Sequence, residues 1–411
     1  MVERVRSDME AWADLAHMGE FLVQGDLLVL SAESAPQQPE WPDRRHVRVV
    51  REVLAGRPPL VRADEVHALR SQVARAAAGE LLVVQAGDCA EDPAECVPGH
   101  LCRKIALLDV LAGVLNTTTG KPVLRVGRIA GQFGKPRSRA TERVDGLDLP
   151  VYRGHMVNSP EPDPLLRLPD PERLLAGHDA ASAAAGYLRL RNSERLPSAQ
   201  SWVWTSHEAL LLDYELPMLR QTDEGGRLLA STHWPWIGNR TNQVDGAHTA
   251  LLATVSNPVS CKVGPTMTPQ ELVALCERLD PFRAPGRLTL ISRMGAAVVA
   301  ERLPPLVAAV REAGHPVGWL VDPMHGNTVS GPHGLKTRFV DTVVQEVVEF
   351  QRAVAVGRGV AVGLHLETTP DDVTECVANA SAIDRVGDKF TSLCDPRLNP
   401  EQAVEVVSSW R

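Results

Sequence analysis

Cys89, His325, Glu367 and Asp395 are the residues of this chain most suited to holding a metal ion. A thiolate, an imidazole and two carboxylates suit a borderline divalent ion such as Mn, Fe, Co or Zn better than Mg or Ca. Each also has an ordinary use: Cys89 as a small buried hydrophobe, Asp395 before Pro396 as a turn former, His325 as a hydrogen-bonded loop residue. A second set is cationic: Arg128, Arg240, Lys262 and Arg293, with Lys336 and Arg338 in a Lys-Thr-Arg stretch. Lys262 and Arg293 lie in or just after apolar runs, where a lone charge is costly. Two such residues in consecutive units favour a bound polyanion. The stretch RVGRIAGQFGKPRS, residues 125–138, presents Arg128, Lys135, Arg137 and Ser138 in one loop, a site for phosphate or carboxylate groups. It is not a Walker loop, which would need a glycine at Ile129 and a hydroxyl residue in place of Pro136. His207, Glu208, Asp213, Asn239 and Asp245 form a third set, in which Glu208 and Asp213 are expected to orient the cations. A metal beside a polyanion pocket points to a Lewis acid polarising a carbonyl while cations hold phosphate and carboxylate. A metal hydrolase acting on phosphates fits nearly as well on chemistry alone.

These residues share a position. From residue 81 onward short apolar runs each end in a polar group: Leu81–Val84 before Asp88-Cys89, Val123–Val126 before Arg128, and Trp202–Trp204 before His207-Glu208. Val259–Lys262, Leu288–Ile291 before Arg293, Val317–Val321 before Asp322 and His325, Val360–Leu366 before Glu367, and Phe390–Leu393 before Cys394-Asp395 continue the series. Helical spacing fills several intervals, at Leu101–Leu115, Thr268–Leu279 with a Thr-Pro-Gln-Glu capping signature, Val298–Ala313 apart from Pro304-Pro305, Asp341–Val354 and Pro400–Trp410. Eight strand-like runs alternating with helices predict a (β/α)8 TIM barrel, in which strand ends and the following loops build the site. A doubly wound open sheet is the alternative. Residues 1–75 read as an N-terminal extension for packing or assembly, and residues 76–411 as the catalytic barrel. The extension holds a short strand or hairpin over Phe21–Leu30 around Gly25-Asp26, a Pro/Gln-rich linker at Ala35–Pro42, and helical spacing at His46–Leu54 and Asp64–Ala78, the latter with Asp64 as N-cap. Residues 139–175 are a long proline-rich connection in which Tyr152-Arg153-Gly154 is expected to fold over the site.

A chain of 411 residues with 44% apolar content can build a large core. Its net charge of −8 argues against a nucleic-acid partner and makes the basic loop a focused anion site. The start, MVERVRSDMEAWADL, lacks the apolar stretch of a signal peptide, and no run is long enough for a membrane span. Seven cysteines without a CxxC pair read as thiols of a cytoplasmic protein.

Taken together, GDCAE at residues 87–91, VGRIAGQFGKPRS, SHEALLLDYE at 206–215, DGAH at 245–248, KVGPTMTP at 262–269, PGRLTLISRMG, DPMHGNT at 322–328, VTEC at 373–376 and CDPRLN at 394–399 resemble class II, plant-type 3-deoxy-D-arabino-heptulosonate 7-phosphate (DAHP) synthases. The resemblance runs from about Gln38 to the C-terminus. It implies a (β/α)8 barrel that condenses phosphoenolpyruvate with erythrose 4-phosphate at the entry to the shikimate pathway, using a divalent metal such as manganese or cobalt. It places the metal on Cys89, His325, Glu367 and Asp395. It places phosphoenolpyruvate on Arg128, Arg240, Lys262 and Arg293, with Asn239 and Glu208 adjoining, and the aldehyde and its phosphate on Lys135, Arg137 and Ser138, with Lys336 nearby. Lys262, Arg128 and His325 carry the catalytic roles, and a homo-oligomer, dimer or tetramer, is implied.

The chain departs from the pattern at Asn239 in Gly-Asn-Arg-Thr, where the family has an acid, and at His155 in Tyr-Arg-Gly-His, where it has an aspartate. Ala86 and Pro370 replace glycines. The segment between Leu188 and Ser206 is too short for the helical pair of long, feedback-inhibited members and resembles short forms attached to secondary metabolism. Two alternatives follow from these departures: the same chemistry on a modified aldose phosphate such as amino-erythrose 4-phosphate, or a catalytically impaired regulatory homologue.

Overall fold

The computed structural model describes residues 20–21, 30–31, 35–144, 146–195, 201–223 and 225–411. Eight parallel strands form its centre: β1 Leu82–Gly87, β2 Val123–Arg128, β3 Val203–Thr205, β4 Trp236–Ile237, β5 Val259–Val263, β6 Leu288–Ser292, β7 Gly318–Val321 and β8 Val360–Glu367. Their order in the sheet is β4-β5-β6-β7-β8-β1-β2-β3. Trp234 N–H donates to Thr205 O at 3.1 Å and Trp236 N–H to His207 O at 3.0 Å, which joins β4 to β3 and closes the ring. This is the predicted (β/α)8 barrel. Helices α1 (Arg44–Ala55) and α2 (Ala63–Ala77) precede it. Helix α3 (Pro98–Thr119) follows β1, and α4 (Glu172–Ser193) ends the long excursion after β2. Helices α5 (Ala247–Ala253), α6 (Pro269–Leu279), α7 (Val299–Glu312), α8 (Val340–Val356) and α9 (Pro400–Ser408) follow β4 to β8 in turn.

Two apolar clusters divide the interior. The larger lies between strands and helices and takes one alternate set of strand residues, such as Leu82, Val84, Cys261, Leu290 and Trp319. The smaller fills the lower lumen with the other set: Val83, Leu124, Val126, Trp204, Trp234, Trp236, Ile291, Leu320 and Val362. Leu69, Val73 and Ala76 of α2 belong to this second cluster, so α2 seals the bottom of the barrel. Burying side chains of this size contributes about 1.5–3 kcal/mol each.

Strand β8 carries the one register shift of the barrel. Trp319 pairs with Ala361 but Leu320 with Gly363, so a residue is skipped. Gly363 has φ +143°, and a β-carbon there would run into the Val83 carbonyl, so glycine is required. Before the bulge Val362 faces the lumen. After it Leu364 and Leu366 face the helices, and His365 and Glu367 turn inward to Arg128.

Several sequence expectations change. Phe390–Leu393 is not a strand: Thr391 and Ser392 donate their N–H groups to Glu375 Oε1, at 3.1 and 2.8 Å, instead of to a neighbouring strand. The eighth strand is Trp236–Ile237, missed because it is two residues long and follows Pro235. Helix α2 is capped by Arg62, whose N–H donates to Glu65 at 2.8 Å, and not by Asp64. Helix α7 runs through Pro304 and Pro305, since the carbonyls those prolines leave unpaired belong to exposed Ala300 and Glu301 in the first turn. The connection after β2 contains a hairpin, Thr141–Val144 with Leu147–Pro150. In the N-terminal region Glu20–Phe21 pairs with Leu30–Ser31, antiparallel; the expected turn at Gly25-Asp26 lies outside the described residues.

Candidate active site

The upper lumen and rim divide into two poles. The first gathers Cys89 after β1, Glu367 at the end of β8 and Asp395 in the loop beyond it, with one donor atom of each within 4.8 Å of the others. His325, after β7, places Nε2 3.2 Å from Glu367 Oε1. Three cations stand around this group. Lys135 Nζ is 2.7 Å from Cys89 Sγ, 2.9 Å from Asp395 Oδ2 and 3.5 Å from Glu367 Oε1. Arg338 Nη1 is 2.9 Å from Glu367 Oε2, and Lys336 Nζ is 2.7 Å from Asp395 Oδ1. Burial works against the Glu367 charge, but His325, Lys135 and Arg338 outweigh it and hold the carboxyl well below its ordinary range. Asp395 is lowered in the same way by Lys135 and Arg338. For Cys89 burial dominates, and with Cys394 and Glu367 it pushes the thiol well above its usual range.

A divalent cation fits this donor set. The thiol and carboxylates converge on one region, and an ammonium already sits among them. The mixture of one sulfur, one imidazole and two carboxylates matches a borderline ion.

The second pole is cationic. Arg128 at the end of β2 and Lys262 within β5 lie above the Trp236 ring, 5.1 and 5.9 Å from its centroid. Lys262 Nζ is held 2.7 Å from Asp322 Oδ2, and His325 Nδ1 lies 2.8 Å from the same oxygen. Asp322 therefore ties the two poles together. Burial lowers the Lys262 ammonium; Asp322 opposes this and Arg128 adds to it. Half-buried Arg293, after β6, approaches the His325 carbonyl at 3.5 Å. Arg240 Nη2 donates to Ser138 Oγ at 2.6 Å, joining the loop after β4 to the basic loop. Arg137 pairs with Glu142 at 3.0 Å and approaches Cys394 Sγ at 3.6 Å. Half-buried Asn239 packs against Gly264, where any side chain would meet it. Glu208 lies against Gly238 with Oε1 buried and free of hydrogen bonds.

The basic loop is held from beneath by Glu91. Its carboxylate accepts N–H groups from Ala130, Gly131 and Gln132 at 3.0, 2.8 and 2.7 Å. Ala130 has φ +69°, a strained conformation for a residue with a side chain, fixed here by that clamp. The stretch expected to cover the site braces it instead: Arg153 O accepts from Lys135 N–H at 2.9 Å, and a side chain at Gly154 would strike the Phe133 carbonyl. Asp213 turns away from the cations, accepting from Trp41 Nε1 at 2.8 Å.

Other residues with work at the site were not singled out from the sequence. Arg397 holds Asp88 and Glu375 at 2.7 and 2.8 Å, and Lys104 holds Asp88 at 2.6 Å, anchoring the segments that carry Cys89 and Asp395. His365 lies under Arg128. Asp88, Glu91 and Arg397 sit inside GDCAE and CDPRLN, so the signal was adjacency to a ligand candidate. No helix among the described residues is long and apolar enough to cross a membrane.

Residues 29–202 and 190–409 match the sequence model of the class-II DAHP synthetase family. A probable phospho-2-dehydro-3-deoxyheptonate aldolase of Pseudomonas fluorescens is 53% identical over 393 residues, 94% of this chain and 97% of that one. A phospho-2-dehydro-3-deoxyheptonate aldolase of Streptomyces coelicolor is 39% identical over 424 residues, 91% and 94% of the two chains. Among solved structures, a phospho-2-dehydro-3-deoxyheptonate aldolase of Francisella tularensis aligns with TM-score 0.52 at 14% identity, covering 88% of this chain and 97% of that one, a likeness of fold alone.

Proposed function

The chain belongs to the class-II DAHP synthetase family, and from that premise we propose that it condenses phosphoenolpyruvate with erythrose 4-phosphate and water to give DAHP and phosphate. The observation that carries this reading is the pairing of the two poles, a thiol–carboxylate cluster beside buried Arg128 and Lys262, joined through Asp322. Cys89, His325, Glu367 and Asp395 would hold a divalent metal, manganese or cobalt in our proposal. Bound there, it supplies Lewis acidity to the aldehyde oxygen.

The chain's own residues do the rest. Arg128, Lys262, Arg293 and Arg240 hold the phosphate and carboxylate of phosphoenolpyruvate, with Asn239 and Glu208 at the edge of that pocket. Lys135, Arg137 and Ser138, with Lys336, hold the aldose phosphate so that its aldehyde carbon meets C3 of the enol. As the C3–carbon bond forms, water adds at C2 and the C2–oxygen bond to phosphate breaks. Lys262, whose ammonium is fixed by Asp322, stabilises the charge that moves onto the departing phosphate. His325, oriented by Asp322 through Nδ1, keeps Nε2 toward Glu367. The proposal also takes the enzyme as a cytoplasmic homo-oligomer whose residues 1–75 serve packing or assembly.

The test is phosphate release from phosphoenolpyruvate in the presence of manganese or cobalt. Erythrose 4-phosphate is expected to support turnover and other aldose phosphates to be poorer. Release with none of them would reject the assignment.

A further inference from the structure

Beneath the cationic pole runs a chain of hydrogen bonds whose direction is fixed from one end. The Trp234 carbonyl only accepts, so Ser206 Oγ–H must donate to it. Ser206 Oγ is then left to accept, and Gln85 Nε2 meets it at 2.7 Å. That turns Gln85 Oε1 toward His365 Nδ1, 2.7 Å away, so Nδ1 carries the ring hydrogen. Nε2 is left bare and accepts from Arg128 Nη1 at 2.7 Å. A guanidinium has no acceptor, so the chain ends there, each link pairing one donor with one acceptor. Ser206, Gln85 and His365 are each fully buried and Arg128 is 2% exposed, so water cannot substitute for a link. The other two edges of the guanidinium are also taken: Nε donates to Asp88 O at 3.0 Å and Nη2 to Glu367 Oε1 at 3.2 Å. His365 also stands at right angles to Trp236, ring centroids 5.0 Å apart, the same indole that Arg128 lies over.

We infer that Ser206, Gln85 and His365 are positioning residues, a directional relay that holds His365 as its Nδ1–H tautomer so that Nε2 aims Arg128 at the anionic substrate. Neither Ser206 nor Gln85 is assigned any contact with substrate. Their influence passes through the order of donors, because a reversed Gln85 amide would force the hydrogen onto Nε2 and set donor against donor at Arg128. The substrate involved rests on the proposed function; the relay itself does not.

Two measurements test this. The first is long-range 1H–15N NMR of the full-length protein labelled in its 13 histidines, with His365 assigned by its loss in His365→Gln. The expected signature is a hydrogen-bearing Nδ1 and a bare Nε2; hydrogen on Nε2 would overturn the relay. The second is steady-state kinetics of Ser206→Ala, which removes the acceptor that orients Gln85. KM for phosphoenolpyruvate is expected to rise about tenfold, with kcat and KM for erythrose 4-phosphate within about twofold. An unchanged KM for phosphoenolpyruvate, or an equal rise for both substrates, would reject the positioning role. If Ser206→Ala does not fold, the wild-type tautomer decides. A wild-type protein with no turnover but the Nδ1–H tautomer would reject the functional reading and uphold the relay.

Discussion

The lower and upper halves of the barrel interior are walled by the same strands and differ completely in chemistry. Below, Val83, Leu124, Trp204, Ile291 and Leu320 pack against α2 without a charge among them. Higher on the barrel strands, or just past their ends, stand Gln85, Arg128, Ser206, Lys262, Asp322 and Glu367, all buried. The lower half gains by removing apolar surface from water, which is additive and tolerant of position. The upper half is held by ion pairs whose desolvation must be offset by matched partners, so each member depends on several others. Stability and chemistry are thus separated along the barrel axis.

The two halves should answer perturbation differently. Removing metal with a chelator is expected to abolish phosphate release while leaving the far-ultraviolet circular dichroism spectrum unchanged. Re-addition of manganese or cobalt should restore turnover; unfolding on chelation would erase the distinction. Glu367→Gln keeps the shape but removes the charge shared by Arg128, Lys135 and Arg338. A fall in kcat of about 10²–10³-fold is expected, and near-normal turnover would show that the acid is a brace only. Leu320→Ala in the lower half should cost about 2–5 kcal/mol in urea unfolding, with kcat/KM of the folded fraction within about twofold. A large kinetic effect would mean that the floor and the site are coupled.

His248 sharpens the contrast from outside the lumen. It is buried with Nε2 2.9 Å from the Leu210 carbonyl, and burial pushes its pKa down to about 4. The unfolded chain, with an ordinary value of about 6.5, binds more protons between those values. This contribution to stability is therefore complete above about pH 6.5 and is lost as pH falls toward 4. Between pH 7 and pH 5 it should amount to about 2 kcal/mol. Unfolding of wild type and His248→Gln at the two pH values measures it as the difference in slope; equal slopes would discard it.

Much of the fold was legible because hydropathy marks buried strands. Runs such as Val123–Val126 and Val317–Val321 needed no partner to be recognised, and the polar residue that closes each run marked the rim. Trp236–Ile237 escaped because two residues carry no periodicity, and its place in the ring depends on carbonyls of Thr205 and His207 far along the chain. Phe390–Leu393 had a strand's composition, but Glu375 takes its backbone donors. Charges beside the candidate ligands were visible by type. Their pairing was not: Asp322 joining Lys262 to His325, or Arg397 holding Asp88, requires knowing which strand stands next to which. Helix α4 was passed over because alanines and two glycines leave it without a marked apolar stripe.

Gly363 adds a single unit to the count of β8, and parity is what it changes. In an unbulged strand of the same sequence, even and odd positions beyond Val362 would exchange places. Leu364 and Leu366 would point at the axis, and His365 and Glu367 would be driven among the helices. That regular strand would line its axis with leucine where the bulged one places a histidine and an acid. The barrel's capacity for a reaction is in this sense a miscount of one, absorbed by a bulge at a position that only glycine fits.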